Sequence, residues 1–213
     1  MKLHGYFRSS AAFRVRIALN LKGLAYEDAF VHLRKGDQRG AAYLGLNPQA
    51  LVPTLEDGPH ALTQSLAIIE YLDETHPQSP LLPKSPAECA RVRALAQIVA
   101  CDIHPIDNLR VLQYLERELK VDAAGVGRWF NHWIALGFTG LEATLAKDKA
   151  TGRFCHGDAP GLADICLVPQ VFNSRRYNLD LGPYPTIARI YEACMKEPAF
   201  DRAQPSKQPD AEP

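Results

Sequence analysis

Three prolines between Gln78 and Pro86 divide the chain into two segments with different hydrophobic periods. Proline has a fixed φ and no N–H to donate, so a strand or helix rarely runs through such a stretch, and it reads as a linker. Before it, short strands alternate with helices. Lys2-Leu3-His4-Gly5-Tyr6 is a strand candidate, and Ala11 to Lys22 a helix with Val15, Ala18 and Leu19 on one face and Gly23 as its stop. Tyr26 to His32 is a second strand, and Lys35 to Leu46 is a weak polar helix broken by Asn47-Pro48. Pro53-Thr54-Leu55 and Ala61-Leu62-Thr63 flank Asp57-Gly58, a hairpin signal. Ser65 opens a helix through Ile68, Ile69 and Leu72 that ends before His76-Pro77. The order over residues 1–80 is β-α-β-α-β-β-α.

After the linker the pattern is helical. A long helix is expected from Ala87 to about Lys120, interrupted near Pro105, then others at Val126–Leu145, Leu162–Tyr177 and Ile187–Met195. The expected fold is therefore α/β plus all-α: a small mixed domain over 1–80 and an all-helical domain over 87–205. Gln204 to Pro213 is polar and proline-rich and is expected to fray.

Composition narrows the function. Lys+Arg and Asp+Glu both number 24, so no global field points to nucleic acid or an anionic membrane, and any attraction for anions must be local. No apolar run is long enough to span a bilayer, and the opening Met1-Lys2-Leu3-His4-Gly5 lacks a secretory h-region, so a cytoplasmic location is expected. The five cysteines form no CxxC pair and the seven histidines show no ligand spacing. Buried free thiols and no metal site are expected.

Four stretches carry candidate chemistry. In "YFRSSAAFRVRIAL", Arg8 and two serines sit where a strand gives way to a helix. Ser9 or Ser10 there is either an N-cap or, beside free N–H groups and the helix dipole, a hydroxyl that holds an anion such as a thiolate. In Leu51-Val52-Pro53-Thr54-Leu55 a proline begins a strand, and a cis bond there frees the Val52 backbone to pair with an extended ligand. Gln64-Ser65 opens another helix and suits a carboxylate or serves as a second cap. "DIHPIDNLR" holds His104 and Asn108 four residues apart, with Pro105 between them disturbing the phase. The pair Arg175-Arg176 reads locally as surface charge.

In this order, these stretches resemble the zeta class of glutathione transferases, the maleylacetoacetate and maleylpyruvate isomerases. The carriers are "YFRSSAAFRVRIAL", "LNPQALVPTL", the "QS" of "LTQSLAIIEYLDE", "DIHPIDNLR", and "GLADICLVPQVFNSRRYNLDL" followed by "YP", and the likeness covers Met1 to Arg202. The set Arg8, Arg110 and Arg176 is most similar to the bacterial maleylpyruvate isomerases. The resemblance implies a thioredoxin-like N-terminal domain, a helical C-terminal domain, glutathione as cofactor and a homodimer. It gives Ser9 the glutathione sulfur, Val52 the cysteinyl backbone before a cis proline, and Gln64 and Ser65 the γ-glutamyl carboxylate. Ser10, Ala11, Gln38, Asp102, His104, Asn108, Leu109 and Arg110 match further positions that line the glutathione or substrate site.

The implied reaction is cis–trans isomerisation of a small maleyl keto acid in aromatic catabolism, with Ser9, Arg8, Arg110 and Arg176 as catalytic residues. Its rivals are a transferase that conjugates or dehalogenates small electrophiles, and a protein that uses the fold only for binding. Two positions depart from the family. Ala11 stands where many zeta enzymes carry cysteine, and Gly161, three residues before Asp164, stands where transferases place Ser or Thr. Glycine is a tolerable N-cap, so a slightly weaker helix start is expected.

Overall fold

Lys2–Gly5 (β1) is the strand on which the first unit is built. It pairs in parallel with Glu27–Phe30 (β2) and antiparallel with Thr54–Asp57 (β3), and β3 turns through a hairpin into His60–Thr63 (β4). The sheet order is β2-β1-β3-β4. Leu3 and Leu55 sit opposite one another and are buried, as are Ile17 of helix α1 (Ser10–Leu21) and Ile68 and Leu72 of helix α3 (Ser65–Thr75). A 3₁₀ turn, Asp37–Arg39, and a short helix α2, Ala41–Leu46, fill the weakly helical stretch. Lys22 closes the end of α3: its Nζ lies 2.8 Å from Asp73 Oδ1 and donates to the His76 carbonyl at 2.8 Å.

The computed structural model describes residues 1–212, and these fall into two compact units. One is Met1–Leu81 together with the chain from Met195 onward; the other is Leu82–Cys194. The return of the C-terminus to the first unit has a local cause. Helix α1 is buried around most of its circumference, from Ala12 through Leu19, because α10 (Pro198–Ala203) packs against it. Asn20 Nδ2 donates to the Ala199 carbonyl at 2.9 Å and Arg16 Nε to the Ala203 carbonyl at 3.0 Å. The expected fraying of Gln204 to Pro213 is therefore corrected. Pro205–Lys207 forms a 3₁₀ turn, and Gln208 Nε2 donates to the Arg202 and Gln204 carbonyls at 2.9 and 2.8 Å. Pro213 lies outside the described residues.

In the second unit the long helix is α4 (Pro86–Gln97), a π-helical turn Ile98–Ile103, α5 (His104–Asp107) and α6 (Leu109–Arg117). The break falls at Asn108, which is extended, and not at Pro105. Proline sits in the first turn of α5, where its missing N–H is tolerated. Helix α7 (Ala123–Lys147) begins earlier than its apolar pattern, because Asp122 caps it through Gly125 N at 2.6 Å. Gly137 of α7 lies against the π-helical turn: a Cβ there would come within 2.4 Å of Ile103 Cδ1.

Helix α8 (Leu162–Arg176) is buried along most of its length, and α9 spans Pro185–Met195. The glycine at 161 supplies no side-chain cap, but Asp164 supplies the reciprocal half. Its carboxylate accepts from Gly161 N at 2.9 Å and from Cys155 N at 2.8 Å. Burial of all five cysteines does not hold. Cys155, Cys166 and Cys194 are buried, whereas Cys89 is half-buried and Cys101 is exposed. All are free thiols.

Candidate active site

The first unit carries eight of the sequence-predicted residues. Ser9 is the N-cap of α1, and its Oγ accepts from Ala12 N at 3.2 Å. A serine oxygen accepts while its hydroxyl hydrogen donates, so capping the helix leaves Ser9 a donor for an anion. The two local readings of this serine are thus compatible. Ser10 is buried inside the first turn and Ala11 follows it half-buried. Arg8, half-buried, rests its guanidinium over the Phe7 ring, 4.8 Å from the centroid.

Tyr6, Phe7, Val31, Tyr43 and Val52 form one buried apolar cluster, so the Arg8–Ser9 loop and the Val52 segment share a support. The Val52–Pro53 bond is cis, and the strand ladder begins only at Thr54. Gln38 is buried, and its Nε2 donates to the Leu33 carbonyl at 3.3 Å.

Gln64 stands before α3 with φ 68° and ψ 114°, a region L side chains adopt only when the surroundings enforce it. Its Nε2 donates to Gln49 Oε1 at 2.9 Å. Ser65, buried, accepts from Arg14 Nη1 at 3.3 Å. The start of α3 therefore offers backbone N–H groups, a hydroxyl, and a buried cation behind that hydroxyl, which fits a carboxylate. Arg14 and Arg16, only 2% and 3% exposed, lie one and two turns inside the helix and carry no site role in the sequence reading. Their signal was an arginine pair inside an otherwise apolar helix.

The second unit carries the rest. Asp102 is exposed on the π-helical turn and His104 is half-buried at the start of α5. Asn108 is the cap of α6: Oδ1 accepts from Val111 N at 3.2 Å and Nδ2 donates to the Pro105 carbonyl at 2.9 Å. It is extended between α5 and α6, so His104 and Asn108 do not share a continuous helical face. Leu109 and Arg110 open α6, with Arg110 exposed.

Arg176 ends α8, exposed, and donates to Asn173 Oδ1 at 3.3 Å. Its neighbour Arg175 is engaged structurally, over the Tyr191 ring at 4.2 Å and 2.7 Å from Glu192. One stretch of α7 holds both arginine-bearing segments. Trp129 Nε1 donates to the Ile106 carbonyl at 2.9 Å, Asn131 Nδ2 to the Tyr177 carbonyl at 3.0 Å, and Phe130 stacks on Tyr177 at 3.7 Å.

Between His104 and Asn108 lies Asp107, which no local sequence signal marks. Asp107 is buried, and neither of its carboxyl oxygens has a hydrogen-bond partner among the described residues. Burial pushes its pKa up to about 8, so the carboxyl is largely neutral at pH 7. No group of three or more His, Cys, Asp or Glu side chains able to hold a metal occurs among the described residues. No helix there is long and apolar enough to cross a membrane.

A four-stranded mixed sheet of β-α-β-α-β-β-α order, with a helix-capping serine and a cis-proline before its third strand, is followed in the chain by a helical unit. Residues 3–80 match the family described as glutathione S-transferase, N-terminal domain. A probable maleylacetoacetate isomerase from Vibrio cholerae is 52% identical over 98% of this chain and 97% of its own length. A holo maleylpyruvate isomerase, a bacterial zeta-class glutathione transferase, superposes with a TM-score of 0.98 at 50% identity over 100% of both chains. A maleylacetoacetate isomerase from Methylobacterium extorquens AM1, solved with malonate and glutathione, gives 0.97 at 44% identity over 100% of both chains. The chain belongs to the zeta class of glutathione transferases, the maleylacetoacetate and maleylpyruvate isomerases.

Proposed function

We propose that this protein is a glutathione-dependent cis–trans isomerase that converts maleylpyruvate or maleylacetoacetate to its fumaryl isomer. The observation that carries the reading is its identity, along nearly the whole chain, to maleylacetoacetate and maleylpyruvate isomerases. When bound, glutathione would supply a thiol nucleophile for reversible addition to the cis double bond and would not be consumed.

The chain's own residues then have three tasks. Ser9 donates its hydroxyl hydrogen to the sulfur and favours the thiolate, while its oxygen caps α1. The start of α3 takes the γ-glutamyl carboxylate, with Gln64 and Ser65 as donors and Arg14 behind them, and the Val52 backbone takes the cysteinyl peptide. By the family resemblance, Ser10, Ala11 and Gln38 in the first unit and Asp102, His104, Asn108 and Leu109 in the second are further candidates for binding glutathione or substrate.

Arg110 and Arg176 hold substrate carboxylates as bidentate forks, and Arg8 would offset negative charge that develops on the substrate. Such forks, in a chain with no net charge, suit a small dicarboxylate keto acid better than an apolar electrophile. The same reading makes the protein a cytoplasmic homodimer of aromatic-compound degradation. An assay of both substrates with and without glutathione tests it. Activity on either that requires glutathione supports it, and conjugation of apolar electrophiles alone would replace it with the transferase reading.

A further inference from the structure

The loop that presents Arg8 and Ser9 is held by the last residues of the chain. Its own turn is closed by Ser9 N donating to the Tyr6 carbonyl at 2.9 Å. The two polar groups of Phe7, between them, are both taken by charged side chains. The Phe7 carbonyl accepts from Arg16 Nη2 at 3.0 Å, and Phe7 N donates to Asp210 Oδ2 at 3.0 Å. Arg16 is itself tied to the tail through the Ala203 carbonyl at 3.0 Å.

The tail carries a second contact beside the first. Glu212 Oε1 lies 2.6 Å from His32 Nε2, and the His32 ring packs against Tyr6 with centroids 5.1 Å apart. The tail has the means to resist displacement, because Gln208 bonds two carbonyls behind it and Ala211 N donates to the Gln208 carbonyl at 3.0 Å.

We propose that Asp210 is a positioning residue for the reacting loop, acting through the Phe7 backbone to set where Arg8 and Ser9 point. Phe7 stands one residue before Arg8 and two before Ser9, so a peptide plane at Phe7 free to rotate redirects both side chains. A carboxylate accepting from a backbone N–H is a charge-assisted bond, and its geometry fixes that plane. Asp210 acts on the chemistry without touching substrate or glutathione. The proposal rests on the reading of Ser9 as thiolate donor.

The test compares Asp210→Ala, Asp210→Asn and Glu212→Gln in the full-length protein. Each is read by kcat, by KM for maleylpyruvate, by the ultraviolet titration of bound glutathione thiolate, and by melting temperature. Asp210→Ala is expected to lower kcat about 3- to 10-fold, the range of one lost hydrogen bond, and to raise the thiolate pKa, with glutathione affinity little changed. Asp210→Asn keeps an acceptor for Phe7 N and should recover most of both. Glu212→Gln should change kcat less than Asp210→Ala.

If Asp210→Ala lowers only the melting temperature, leaving kcat and the thiolate titration at wild-type values, the positioning role is overturned. The same holds if Asp210→Asn is as impaired as Asp210→Ala. Failure of the underlying reading looks different: the wild-type protein itself would then show no depressed thiolate pKa on binding glutathione.

Discussion

Ser9→Gly separates the two jobs that one oxygen does at the start of α1. Ser9 Oγ accepts from Ala12 N at 3.2 Å, and its hydrogen is assigned to the glutathione sulfur. Ser9→Ala removes both functions at once. It should cost about 1 kcal/mol of stability as a lost N-cap, which in a chain of this size lowers the melting temperature by about 2–4 °C. Glycine caps almost as well as serine, costing only a few tenths of a kcal/mol, yet it has no hydroxyl. Both variants should therefore lose the same catalytic contribution while differing in stability.

One hydrogen bond to a charged group is worth about 1.5–3 kcal/mol, or about 10- to 150-fold in rate and one to two pH units in the thiolate titration. Steady-state kinetics, the ultraviolet titration of bound glutathione and a melting curve on wild type, Ser9→Ala and Ser9→Gly complete the comparison. Ser10→Ala should shift the thiolate titration much less than either. If Ser9→Gly keeps wild-type kcat and the wild-type thiolate titration, Ser9 is a helix cap alone and the assignment of the sulfur to it is wrong.

Arg110→Ala and Arg176→Ala should each lower kcat/KM by about 10- to 100-fold, the loss of a charge-assisted contact, with glutathione affinity changed far less. Arg176→Lys should recover only part, because it keeps the charge and loses the fork; wild-type kinetics in both alanine variants would refute the dicarboxylate role. Asp107 titrates near pH 8 when folded and near 4 when unfolded, so its contribution to stability is complete below about pH 4 and is lost as pH rises through 8. Urea midpoints should show Asp107→Asn gaining on wild type from pH 5 to pH 8, at no more than about 1.4 kcal/mol per pH unit; parallel profiles would mean the carboxyl is not held neutral. Asp164→Ala leaves the N–H groups of Cys155 and Gly161 without their acceptor and should cost about 2–5 kcal/mol in a urea melt, with Asp164→Asn costing less.

What could be read from sequence was what local physical chemistry decides. The strand-and-helix order before Gln78, the hairpin at Asp57-Gly58 and the capping character of Ser9 all follow from spacing and residue type. The cis bond at Val52–Pro53 was open on local grounds and came only through the resemblance. Legibility ended where packing at a distance took over. The polarity of Gln204–Gln208 gave no sign that α10 would lie on α1 and bring the tail with it. Burial of Arg14 and Arg16 follows from α1 being covered around most of its circumference, which no local signal marks. The interruption expected near Pro105 is present but falls at Asn108, because a proline in a first helical turn breaks nothing.

A glutathione that serves as cofactor is returned after every turnover. The most direct test is to follow the olefinic protons of maleylpyruvate by NMR, with the purified protein and glutathione at a small fraction of the substrate concentration. Complete conversion to fumarylpyruvate is expected, with many turnovers per glutathione and free glutathione undiminished at the end. Conversion that stops after one equivalent, with a stable glutathione adduct in its place, would contradict it.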